Sequence, residues 1–99
     1  MLTKPEPRAK EKARAVRKKQ RDYSALRVQV CHRDMGLCRV CRHYASPTYG
    51  HVHHIVYRSA GGEDTMSNCL WLCATCHDLE HRHRIAITGT SDALDIEVR

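Results

Sequence analysis

Ninety-nine residues with 5% aromatic side chains and no Phe make one small domain with few large apolar anchors, which a structural metal would help to hold together. No run reaches the roughly 18 apolar residues of a membrane span, and the charged N-terminus lacks an apolar signal core, so no membrane-spanning segment is expected and a reducing cytoplasm is. The net charge of +6 is lopsided: residues 1–34 carry +7 and the other 65 carry −1, a field that draws polyanions such as nucleic-acid phosphates.

In chain order, Pro5 and Pro7 break up the first nine residues, and Lys10 to Gln20 are helix formers with scarcely any apolar stripe. Residues 1–22 therefore read as a basic arm, flexible or helical, and the basic first 34 residues as a whole would bind phosphates without reading sequence. Residues 23–99 read as the folded domain. Ser24 can cap a helix running to about Arg33, with Leu26 and Val30 on one face, and Gly36 suits a left-handed C-cap. Residues 42–50, with Pro47 and Gly50, read as loop. Val52 to Tyr57 is a β-branched and aromatic run, hence a strand, and Cys69 to Leu72 is its returning partner across a Gly61-Gly62 loop. A helix follows from Cys76 to about Arg84, with Asp78 and Glu80 near its start and Arg82 and Arg84 near its end, as the macrodipole favours. Ile85-Ala86-Ile87, a turn region at Thr88-Gly89-Thr90 and Ile96-Glu97-Val98 suggest a short closing hairpin or strand addition.

Cys38-x-x-Cys41 and Cys73-x-x-Cys76 form two knuckles, each of which turns two sulfurs toward one ion. Together they complete the tetrahedral thiolate shell that Zn²⁺ prefers, and four protein ligands leave no open position, so this site is structural. Cys31 and Cys69 have no such partner and read as small buried residues. His77 and His81 lie four apart on the predicted helix and share a face, and the hairpin can bring His53 over them. Three imidazoles leave coordination positions open, the condition for metal catalysis. His54, next to His53 on a strand, points to the opposite face and is free to act as a base, imidazole being the side chain that titrates near neutrality. His32, His43 and His83 read as exposed and inert.

The series Cys38-x-x-Cys41, His53-His54-Ile55, Ser59-x-Gly61-Gly62, Asn68 and Leu72-Cys73-x-x-Cys76-His77 resembles the HNH endonucleases over roughly residues 23 to 84. The resemblance implies an α+β fold, a small ββα-metal (HNH, His-Me finger) domain stapled by the four-cysteine zinc and preceded by the basic helical arm. It implies that His54 is the general base, that Asn68 is the motif's central residue and that His77 is a metal ligand. His53 stands where relatives carry a metal-binding Asp or His, and His81 resembles the third histidine ligand of colicin-type nucleases. The implied activity is hydrolysis of DNA phosphodiester bonds with a catalytic Mg²⁺, Mn²⁺, Ni²⁺ or Zn²⁺. Three nitrogen donors suit Zn²⁺ or Ni²⁺ better than Mg²⁺. Asn68 would fix the Gly61-Gly62 loop and so orient His54, and Arg58 would hold a phosphate or be solvated. The likeness to phage proteins adds packaging (terminase) proteins as candidate partners and a bacterial or phage-infected cell as the setting. A non-catalytic zinc-stabilised nucleic-acid-binding module is the rival reading. It explains the cysteines and the basic arm but not the histidines.

Overall fold

The computed structural model describes residues 23–99, so the arm expected over residues 1–22 lies outside the described residues. Residues 23–33 are helical and form α1. As the pattern required, Leu26 and Val30 are its buried face. Ser24 is already inside the helix and does not cap it. At the other end, Gly36 N–H donates to Cys31 O at 2.9 Å and Met35 N–H to His32 O at 3.1 Å. This is a Schellman closure whose left-handed C′ residue is Met35, at φ 55°, with Gly36 following at φ 69°. Glycine is needed there for space as well, because a Cβ would come within 2.7 Å of the Tyr44 ring.

Strand β1, His51–His54, pairs antiparallel with β2, Cys69–Leu72, in a register that sets His51 opposite Leu72 and His54 opposite Cys69. β1 is shorter than the apolar run predicted. Beyond His54 the ladder continues only through Ile55 N–H to Asn68 O, 2.8 Å. After that the Asn68 side chain replaces the missing strand, its Oδ1 accepting from Val56 N–H at 2.9 Å and its Nδ2 donating to Val56 O at 3.1 Å. The loop back to β2 holds two 3₁₀ turns, Arg58–Ala60 and Met66–Asn68.

All four residues of β2 are buried, because the strand is a wall between two cores. Cys69 and Trp71 face one side, where Leu26, Val30, Ala45 and Val52 pack. Leu70 and Leu72 face the other, with Cys38, Cys76, Ile85 and Ile87. Period-two alternation along one strand thus serves both layers. Trp71 is fixed by its indole N–H to Ala45 O, 2.8 Å, and Gly50 leaves room for its ring, since a Cβ there would sit 2.1 Å from Cζ2.

Helix α2 spans Ala74–His81, two residues earlier than expected. The Cys73 sulfur accepts from Cys76 N–H at 3.4 Å and acts as the N-cap. Asp78 and Glu80 consequently sit past the first turn, which holds no acid, and the macrodipole reading of them fails. The helix ends as α1 does, with Arg84 N–H to Leu79 O at 2.9 Å, His83 N–H to Glu80 O at 3.0 Å, and His83 left-handed at φ 59°. Strands β3, Ile85–Thr90, and β4, Ala93–Val98, form a separate antiparallel hairpin. Thr88-Gly89-Thr90 belongs to β3, and the turn falls at Ser91-Asp92. No helix among the described residues is long and apolar enough to cross a membrane.

Candidate active site

The two knuckles meet. One sulfur from each of Cys38, Cys41, Cys73 and Cys76 lies within 4.8 Å of the others, Cys41 and Cys73 standing 3.7 Å apart, and no cysteine is in a disulfide. Backbone N–H groups aim into this cluster. Burial works against ionisation of Cys38, yet the amides of Cys41, Cys73 and Val40 bring its thiol down to about 7. Burial and the adjacent sulfurs push Cys76 upward, and burial does the same to Cys41. The four sulfurs are spaced as ligands of one ion would be, and a cation among them would offset the cost of ionising all four.

The three predicted imidazoles also meet. Ligand atoms of His53, His77 and His81 lie within 4.8 Å of one another, and Nε2 of His77 and Nε2 of His81 are 3.2 Å apart. β1 contributes His53 from the face opposite Val52, and α2 contributes the other two from one helical face. His53 is 3% exposed, and its Nε2 is buried without a hydrogen-bond partner. A buried ring nitrogen with no hydrogen-bond partner, in a histidine whose ligand atom lies within 4.8 Å of two others, is what a divalent ion would satisfy, so the donor set fits a metal. Burial first, with the neighbouring histidines adding to it, pushes His53 down to about 4; burial and His51 lower His77 as well. Both imidazoles are thereby kept neutral, the form that ligates. The cavity beside them, about 290 Å³, is lined by His53, His54, Tyr57, Arg58, His77 and His81.

Residues 38–83 match the HNH endonuclease family. That stretch is an HNH domain. A curated relative is the Type IV methyl-directed restriction enzyme EcoKMcrA of Escherichia coli (strain K12), 33% identical over 58 residues, covering 52% of this chain and 21% of that enzyme. The chain therefore spans about a fifth of the relative's length. No significant match to a solved structure was found. Neither match supports the expected phage setting or terminase partners. Both support a nuclease-type function.

Within the HNH domain His54 borders the same cavity as the three imidazoles but turns its Nε2 to Asp64 Oδ1, 2.7 Å away. Asp64 is also gripped by Arg58 through Nε at 2.9 Å and Nη2 at 2.7 Å. The Arg58 pairing, then His54, holds the carboxyl down at about 2, so it is an acceptor and His54 Nε2–H donates. Arg58 is therefore engaged, and its guanidinium lies over the Tyr23 ring at 5.0 Å. Asn68 donates to Glu63 O at 2.9 Å in addition to bracketing Val56, so it clasps the loop that carries Asp64.

Four residues of this HNH site escaped the sequence reading. His51 stacks on His77 with ring centroids 4.5 Å apart and planes 4° from parallel. Asp64 is in contact with His54. Tyr57 donates from its hydroxyl to Glu80 Oε1 at 2.5 Å, and Glu80 is buried against His53. Position provided the one signal available for Glu80: it lies three residues after His77 and adjacent to His81, where a helix turns the same side inward. His32, His43 and His83 are exposed, as expected.

Proposed function

We propose that the chain is a metal-dependent endonuclease that hydrolyses DNA phosphodiester bonds. The observation that carries this reading is the convergence of His53, His77 and His81 on one open cavity that His54 also borders. Membership of residues 38–83 in the HNH family and a relative named as a restriction enzyme support it, and DNA is the polyanion that the basic residues 1–34 match.

In this reading Cys38, Cys41, Cys73 and Cys76 hold a structural Zn²⁺, and the three imidazoles hold a catalytic divalent ion, Zn²⁺ or Ni²⁺ suiting the nitrogen donors better than Mg²⁺ or Mn²⁺. That ion supplies Lewis acidity to the scissile phosphate and to the leaving oxygen. His54 is the general base. Its Nε2–H is committed to Asp64, which leaves the Nδ1 lone pair to take a proton from water placed for in-line attack. Asn68 is a positioning residue. By clasping Glu63 it sets Asp64, and through Asp64 the His54 ring. Arg58 serves the same carboxylate, and the basic first 34 residues bind phosphates away from the cut.

Supercoiled-plasmid cleavage with Mg²⁺, Mn²⁺, Ni²⁺ or Zn²⁺ added in turn tests the assignment. Nicking or linearisation that needs the ion and falls by roughly 10²–10⁴ in His54→Ala is expected. Plasmid that is retarded on a gel but never cut, whatever the ion, would instead establish the nucleic-acid-binding module.

A further inference from the structure

The reading of His53 as a metal ligand leaves a carboxylate unexplained. Glu80 is 7% exposed, in the layer where α2 meets β1. Burying a carboxylate is costly unless its oxygens are partnered. Only Oε1 has a hydrogen bond, from Tyr57, whereas Oε2 is buried without a partner. The nearest basic atom is His53 Nδ1, 3.9 Å from Oε2, and at its far side the His53 ring presents the other orphaned atom, Nε2. Two unpartnered buried atoms therefore belong to one Glu80–His53 pair, Oε2 on the side that faces the ring and Nε2 beyond it. Tyr57 braces the arrangement, with its ring edge-on to His53 at 6.1 Å and stacked on His81 at 6.0 Å.

We propose that Tyr57 and Glu80 form a tautomer lock on His53. The proposal rests on His53, His77 and His81 being the ligands of the catalytic ion. An imidazole ligates through a nitrogen that carries no proton. Ligation through Nε2 requires the His53 proton on Nδ1, the nitrogen that faces Glu80. A carboxylate can only accept, so Oε2 favours Nδ1–H and leaves the Nε2 lone pair free for the ion. Tyr57 decides which oxygen does this, because its hydroxyl occupies Oε1 and turns Oε2 to the ring. Both are positioning residues in this role: Glu80 is buried behind His53, and Tyr57, although it borders the cavity, acts on the ring through Glu80.

This logic makes an isosteric change informative. In Glu80→Gln, Tyr57 O–H still calls for an oxygen, which turns the amide NH₂ toward His53 Nδ1. That donor forces the proton onto Nε2, the ligating atom, and blocks it. In Tyr57→Phe/Glu80→Gln the amide is free to rotate, and its oxygen can again accept from Nδ1–H.

The test uses the full chain with the four-cysteine site filled. Co²⁺ binding to the second site is measured by indicator competition, and the His53 tautomer by ¹⁵N chemical shifts without added Co²⁺. We expect wild type to be in the Nδ1–H form and Glu80→Gln in the Nε2–H form. Co²⁺ affinity should fall about 10–100-fold in Glu80→Gln, as for other carboxylate partners of histidine ligands. It should return to within a few-fold of wild type in the double variant. Wild-type affinity in Glu80→Gln, or a double variant no better than the single one, would overturn the lock in favour of simple space filling. A wild-type Nε2–H tautomer would overturn it irrespective of ions. Wild type in the Nδ1–H form that binds no second ion would sink the metal reading itself, and the lock as a metal-site device with it.

Discussion

Asp34 shows how one side chain can join three segments of this chain. Its carboxylate, 2% exposed, is held by Arg33 through two bonds of 2.9 Å, by Arg39 at 2.9 Å and by the Trp71 backbone N–H at 3.0 Å. Burial opposes the charge, but Arg33, the Trp71 amide and Arg39 outweigh it and lower the pKa below the usual 3.8. A depressed native pKa means that stabilisation is complete above the unfolded value and disappears as pH falls through the native one. Asp34→Ala takes the carboxylate from two guanidinium groups, which keep only backbone carbonyl partners, and leaves the Trp71 amide unpaired, and should cost about 3–5 kcal/mol at pH 7. In urea titrations the gap between variant and wild type should be widest at neutral pH and should close below pH 3.8. A gap independent of pH would mean that packing, not charge, is what Asp34 provides.

The elements were legible where a periodic pattern coincided with a boundary residue. Leu26 and Val30 marked the buried face of α1, and four apolar residues from Cys69 marked β2. The pairs of cysteines and the i, i+4 histidines declared themselves by spacing alone. What the sequence concealed was tertiary in origin. β1 stops at His54 because the Asn68 side chain takes the place of a strand, and no local propensity encodes that substitution. α2 starts early because a cysteine sulfur caps it, a residue type that ranks nowhere among common N-caps. Glu80 resembled a surface acid because its partners Tyr57 and His53 come from a different strand and loop. The helix ends invite a further prediction. Met35 is left-handed and 75% exposed, so it bears the steric cost of that conformation without packing in return. Met35→Gly should stabilise the fold by about 1 kcal/mol and raise the melting temperature by several degrees. An unchanged melting temperature would show that the Schellman turn relaxes around methionine.

At the scale of the molecule, β2 divides the domain into an α1 half and a knuckle half. The four sulfurs are embedded in the second, among Leu70, Leu72, Ile85 and Ile87. A chelator should therefore act in two stages on the proposed two-ion protein. The open histidine site empties first, with loss of cleavage and little change in far-ultraviolet circular dichroism. Loss of the thiolate-bound ion follows and unfolds the second half, because a small metal domain draws its folding free energy from that ion. Simultaneous loss of both ions and of secondary structure would show that the two sites are not separable.

Cys73 belongs to both stages. Its sulfur is one of the four clustered thiols and also the cap on which the first turn of α2 begins, and that helix presents His77 and His81. The imidazoles thus depend, for the start of the helix that carries them, on a sulfur atom of the other site. A reagent that consumed this sulfur would take away the helix cap together with one of the four clustered thiols, and so would act on the histidines without modifying any of them.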